Sequence, residues 1–243
     1  MKTFPVLVLA SAIAMVSACS SDDDDNDSSG PEEPTTVSEA GTFTVTFQNL
    51  TTNQLMTPPV VALHDPSVHL FQVGEPASDA IRDIAETGAN GELVAFATDN
   101  GDVVSAAGEA GAGPFGPGGE VTINLTTDLD GQVLSAVNMV ICTNDGIAGF
   151  DSMTLPADNT PVVATAVAYD AGTRDNSNDA QSFFPPPCKV GDTIPNAETS
   201  PRAGIALHPG QTVVNNNTGA PIATDNWDVV SGENVLMMTV TRN

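Results

Sequence analysis

The chain has 243 residues, with 31 acidic side chains against 6 basic ones and a formal charge of −25. A field of that sign repels phosphate backbones and anionic head groups, which excludes nucleic acid and polybasic-type membrane binding. Hydrophobic residues make up 40 % of the chain, and the about 200 residues beyond its polar N-terminal region suffice for one domain with a substantial core.

Lys2 precedes an apolar run from Phe4 to Val16, and Ser17 and Ala18 stand just ahead of Cys19. A basic start, an apolar stretch too short to span a bilayer and small residues at a cleavage point form an export signal. A cysteine directly after them predicts a lipoprotein signal peptide over residues 1–18, with the thiol of Cys19 acylated before cleavage. The alternative is an ordinary signal peptide with an incidental cysteine. Several acyl chains anchor durably where one does not. Residues 19–40 carry Asp22, Asp23, Asp24 and Asp25 and almost nothing apolar. They predict a disordered acidic tether, because so little apolar surface cannot offset ordering entropy. The expected location is the bacterial cell envelope, as an outer-membrane lipoprotein. The acidic run resembles the surface-export signals of some such proteins. An exported chain sits where disulfides persist, so Cys142 and Cys188 are expected to bridge, with two separate thiols as the alternative.

The folded domain is expected over residues 41–243. Phe43, Val45 and Phe47 alternate with Thr44, Thr46 and Gln48, which predicts a half-buried strand. Val60–His64 reads as a second strand. Ala80, Ile81, Ile84 and Ala85 then fall on one helical face, with Ser78 as cap and Gly88 as terminator. Leu93–Thr98 reads as a strand, and Gly108–Gly119 as a Gly/Pro-rich loop. Val121–Leu125 and Val133–Cys142 flank Asp128–Gly131, whose Asp-Gly pair predicts a hairpin turn. Val162–Ala168, Gly204–Leu207 and Val235–Thr241 read as strands, and Asp170–Asp192 as a long polar loop. Many short strands and one short helix predict an all-β fold, an antiparallel β-sandwich.

Zinc-hydrolase, phosphate-loop and nucleophile-elbow motifs are absent from the sequence. The histidines are His64, His69 and His208, and nothing in their spacing selects a catalytic triad. The aspartates say more. The strand ending at Cys142 runs out into Thr143, Asn144, Asp145 and Gly146, and the strand ending at Ala168 runs out into Tyr169, Asp170, Ala171 and Gly172. Loops at strand ends are where a rigid sheet presents function. If the two strands end on one rim, Asp145 and Asp170 meet, and two close carboxylates repel unless protonated or bridged by a cation. Calcium, with 6–8 oxygen ligands, suits such a place. Ordinary turn chemistry of Asp is the competing explanation.

The segments Phe43–Asn49, Val60–Asp65, Leu70-Phe71 with Gly74 and Ala77-Ser78, Ile84–Gly88, Leu134–Met139, Thr143–Gly149, Tyr169–Thr173 and Leu207–Gly210 together resemble the spondin N-terminal domain family. The likeness runs from Gly41 to Asn243. It implies a C2-like β-sandwich with calcium at one rim, held by Asp145 and by Asp170, the first aspartate of an Asp-Ala-Gly-Thr motif. It also implies a third acidic ligand near Asn124–Thr126, where this chain has no carboxylate. Asp128 and Asp151 are the substitute candidates.

These readings converge on a non-catalytic binding or adhesion module whose calcium stiffens rim loops. The partner would be an extracellular matrix component, a glycan or a surface protein, with the membrane met only through the lipid. A structural envelope protein without metal-dependent binding is the first alternative, and a hydrolase with an unrecognised site the remote one.

Overall fold

The computed structural model describes residues 40–101, 104–176, 203–211 and 228–243. The predicted signal peptide with Cys19, nearly all of the tether, and Cys188 lie outside the described residues. Among the described residues nine strands run as β1 (Gly41–Asn49), β2 (Val60–His64), β3 (Val104–Glu109), β4 (Glu120–Thr127), β5 (Val133–Met139), β6 (Gly146–Thr154), β7 (Val162–Asp170), β8 (Ala206–Leu207) and β9 (Asn234–Arg242). The helices α1 (Asp79–Thr87) and α2 (Gly91–Asp99) lie between β2 and β3. Described strands pair in the order β3-β2-β5-β6-β7-β9-β1-β4, with β8 on β7, and every strand pairing is antiparallel. The fold is all-β, as the sequence predicts.

One strand belongs to both layers. β7 pairs through Ala168–Asp170 with β6 and through Val162–Val167 with β9, so the ladder folds over along it. Phe43, Val45 and Phe47 of β1 are fully buried against Leu134, Ala136, Leu236 and Met238, while Thr44 and Thr46 face outward and bond to Asn124 and Thr122 of β4. Each large apolar side chain so buried contributes about 1.5–3 kcal/mol.

β2 and β5 are buried on both faces. Val61, Leu63, Leu134 and Ala136 enter the core between the layers. Val60, Ala62, Val137 and Met139 enter a second core under the helices with Ile81, Ile84 and Leu93. A doubly covered strand reads as an unbroken apolar run. Helix α1 forms as expected: the Ser78 side chain accepts from the N–H of Ile81, and Gly88 ends the helix at φ 72.

Three expectations are corrected. Leu93–Thr98 is helical, within α2, so there are two helices among the described residues and not one; Leu93 and Ala97, four apart, are its buried pair. Asp128–Gly131 does not close a hairpin. β4 pairs with β1 whereas β5 pairs with β2 and β6, so the turn carries the chain between layers. The loop expected from Gly108 opens on the end of β3. Beyond these three, β6 adds a strand that the sequence reading did not assign.

A candidate metal site on the sandwich rim

β5 leaves the sheet into a tight connection to β6. The Thr143 hydroxyl donates to Val140 O (2.7 Å) and accepts from the N–H of Gly146 (2.7 Å), and the Val140 N–H bonds Gly146 O (2.9 Å). A Cβ at Gly146 would lie 2.5 Å from Thr143 Oγ1, so the closure needs glycine there. Gln54 Oε1 accepts from the N–H of Cys142 (3.1 Å), and Gln211 Nε2 donates to Cys142 O (2.6 Å). Asp145 is therefore held from several sides, and its exposure is 0 %.

The second loop leaves β7. Gly146 pairs with Asp170, and the N–H of Ala171 bonds Asp145 O (3.1 Å), which brings the two strand ends side by side. Gly172 adopts φ 66 and turns the next amides back toward Asp145. Its Oδ2 accepts from the N–H of Thr173 (2.7 Å), the N–H of Arg174 (2.9 Å) and the Thr173 hydroxyl (3.2 Å). Its Oδ1 is buried and has no hydrogen-bond partner. Burial, and then the charge of Asp170, push the Asp145 carboxyl up to about 6, against the pull of the three donors.

Asp170 is half-exposed. Its Oδ1 accepts from the N–H of Gly172 (2.7 Å) and its Oδ2 from the Asn176 amide. His208 is buried beside it; burial lowers its pKa, the Asp170 charge opposing. A cavity of about 320 Å³ opens at this rim, lined by Asp170, Gly172, Arg174, Asn176 and Gly204 among others.

The structure thus brings Asp145 and Asp170 together and leaves the other two candidates elsewhere. Asp151 lies farther along β6 and pairs with His69 (2.9 Å). Asp128 follows Thr127, which pairs with Gly41 at the start of β1. That end of β1 lies beside Arg242 of β9, whereas β7 runs toward Asp170 past Asn234, the opposite end of β9. Asn124–Thr126 and Asp128 are therefore remote from this rim, and no third carboxylate comes from β4. No group of three or more His, Cys, Asp and Glu side chains suited to a metal occurs among the described residues. Sequence reasoning missed the Thr173 and Arg174 donors; the signal was the glycine that lets the chain double back.

The donors present are oxygens, one of them a buried carboxylate oxygen without a partner, and that chemistry suits a hard cation. The fold and rim together define an antiparallel β-sandwich carrying an acidic pair at the ends of two adjacent strands. The family model described as Spondin_N matches residues 42–200, and the chain belongs to the spondin N-terminal domain family. No curated protein matches the chain.

Proposed function

We propose that this chain is an exported, lipid-anchored, non-catalytic adhesion module with calcium bound at the rim by Asp145 and Asp170. The observation that carries the reading is the Asp145 carboxylate, buried, repelled by Asp170 and left with one oxygen unpartnered. Calcium there would neutralise the pair and take up the orphaned oxygen. The amides of Thr173 and Arg174 hold the other oxygen in place, and the remaining ligands would be carbonyl, amide or water oxygens. Loops leaving β5 and β7 would then be joined, stiffening one end of the sandwich for a partner. Ser135 and His64 do hydrogen-bond (2.8 Å), but both are wholly buried, so that contact offers no nucleophile to a substrate.

Anchoring through Cys19 rests on the sequence pattern. The Cys142–Cys188 bridge is part of the same proposal: Cys142 is buried in the rim loop, where a covalent tie would reinforce the site. A structural envelope protein is the second reading. It is favoured by both Asp170 oxygens already accepting bonds from their own loop.

Calorimetric titration of the chain with calcium separates the two. The expected result is one site at a Kd of about 10⁻⁴–10⁻³ M, the range of extracellular modules, lost in Asp145→Asn. Absence of binding at that concentration removes the metal. Protease treatment of intact cells then tests adhesion, which requires the domain to be cleaved from outside.

A further inference from the structure

A second site lies where β6 and β7 part. Their ladder stops at Ala148 and Ala168; beyond it β6 stays with β5 while β7 turns to β9. A cleft of about 470 Å³ opens between them, bordered by Phe71, Gly149, Asp151, Thr165 and Tyr169. That volume falls in the roughly 300–1,000 Å³ range of small-molecule sites. Gly149 keeps the strand bare there, since a Cβ would meet Ala136 O at 2.2 Å.

The mouth of this cleft is built around one carboxylate. Asp151 Oδ1 accepts from His69 Nδ1 (3.1 Å), the Ser135 hydroxyl (3.3 Å) and the Ser152 hydroxyl (3.3 Å), and Oδ2 accepts from His69 Nδ1 (2.9 Å). Ser135 is itself held by buried His64 (2.8 Å) and by the N–H of Ser152 (2.9 Å). Ser152 has φ 54, the only positive φ outside glycine among the described residues, and it sits where the β5–β6 register breaks. Strain at a non-glycine residue persists where surrounding structure enforces it, and it clusters at functional sites. Here it aims the serine amide at Ser135, so that Asp151 is fixed while its side chain stays 27 % exposed. Oδ2 keeps lone-pair capacity for a ligand hydroxyl.

The opposite wall supplies an apolar face. Tyr169 is the chain's single tyrosine; it is half-exposed and braced against Phe71, ring centroids 6.1 Å apart at 54°. Thr165 adds an exposed hydroxyl. A fixed acceptor, a hydroxyl and a rigid aromatic ring suit a ligand with hydroxyl donors around an apolar C–H face. The carboxylate and the charge of −25 repel phosphorylated and sulfated ligands.

We propose that this cleft binds a neutral saccharide unit, with Asp151 accepting from its hydroxyls and Tyr169 stacking on its ring. The adhesion reading gives such binding its purpose, but the cleft does not contain the calcium pair. The test is an array of neutral oligosaccharides, with sulfated glycans and basic peptides alongside, probed with the full chain in calcium and in chelator. Asp151→Asn and Tyr169→Ala are expected to weaken neutral-sugar binding at least tenfold, with Tyr169→Phe close to wild type. Melting curves establish that the variants are folded, and Thr165→Ala provides a further variant if one is not. Asp151-dependent binding in both calcium and chelator supports the cleft even if calorimetry finds no calcium site. Neutral sugars that fail to bind, bind the variants equally, or are outcompeted by basic peptides overturn it.

Discussion

Asp145 is the residue on which pH acts most directly. Burial and the neighbouring charge of Asp170 raise its folded carboxyl to about 6 from an ordinary aspartate value of 3.8, so the folded state holds this proton more tightly than the unfolded one. Below 3.8 both states are protonated and the group is neutral toward stability. The penalty grows as pH rises through 3.8 and is complete above about 6, where it costs about 3 kcal/mol. Without calcium, wild type should therefore lose about 3 kcal/mol relative to Asp145→Asn between pH 3.8 and pH 7, measured by urea unfolding of both chains. A constant difference between them would show that the carboxyl ionises freely. Calcium bound at the proposed site would select the charged form, so its affinity should fall as pH drops below 6. Asp145 and Asp170 were legible from sequence because each stands just past an apolar run, at a turn. The orphaned Oδ1 was not, since it depends on where Thr173 and Arg174 fold back.

At the scale of elements, legibility followed burial. β1 has one face in the core and one in water, and its alternation Phe43, Val45, Phe47 is explicit. β6 is buried along Gly146–Phe150 with no alternation, so period two gives no signal for it. Half of β3 is Ala and Gly, which carry little strand preference. Leu93–Thr98 is a short apolar run that periodicity cannot assign between strand and helix. The distinction has a mutational signature. A strand burying Leu93 and Ala97 would bury Ala95 as well, whereas in α2 Ala95 is exposed. Ala95→Glu should change stability by no more than about 0.5 kcal/mol, while Leu93→Ala should cost about 2–5 kcal/mol. A large loss in Ala95→Glu, read from thermal or urea denaturation, would contradict the helix.

The sandwich formed by the described residues closes where its outermost strands meet. β3 and β4 end the ladder and are not paired with each other, yet a Cβ at Gly108 would lie 2.9 Å from Ile123 Cδ1. Gly108→Val should cost about 1–3 kcal/mol, and Ile123→Ala should relieve part of it. Purely additive losses in that double-mutant cycle would mean that the two strands do not press together.

The charge acts over the same scale and must be separated from the site. A net −25 destabilises the compact state by self-repulsion, and any salt relieves this by screening over about 8 Å at physiological ionic strength. Sodium chloride should therefore raise the melting temperature of wild type and of the Asp145→Ala/Asp170→Ala double variant by equal amounts. A bound cation acts instead by mass action. At 10–100 times Kd it adds about 1.4–2.7 kcal/mol, roughly 3–10 °C for a domain of this size. Calcium at ionic strength matched with sodium chloride should therefore give wild type that extra increase and the double variant none. Equal increases in both chains would assign calcium's effect to the field of the whole surface, and the rim aspartates would keep only their part in closing the loops.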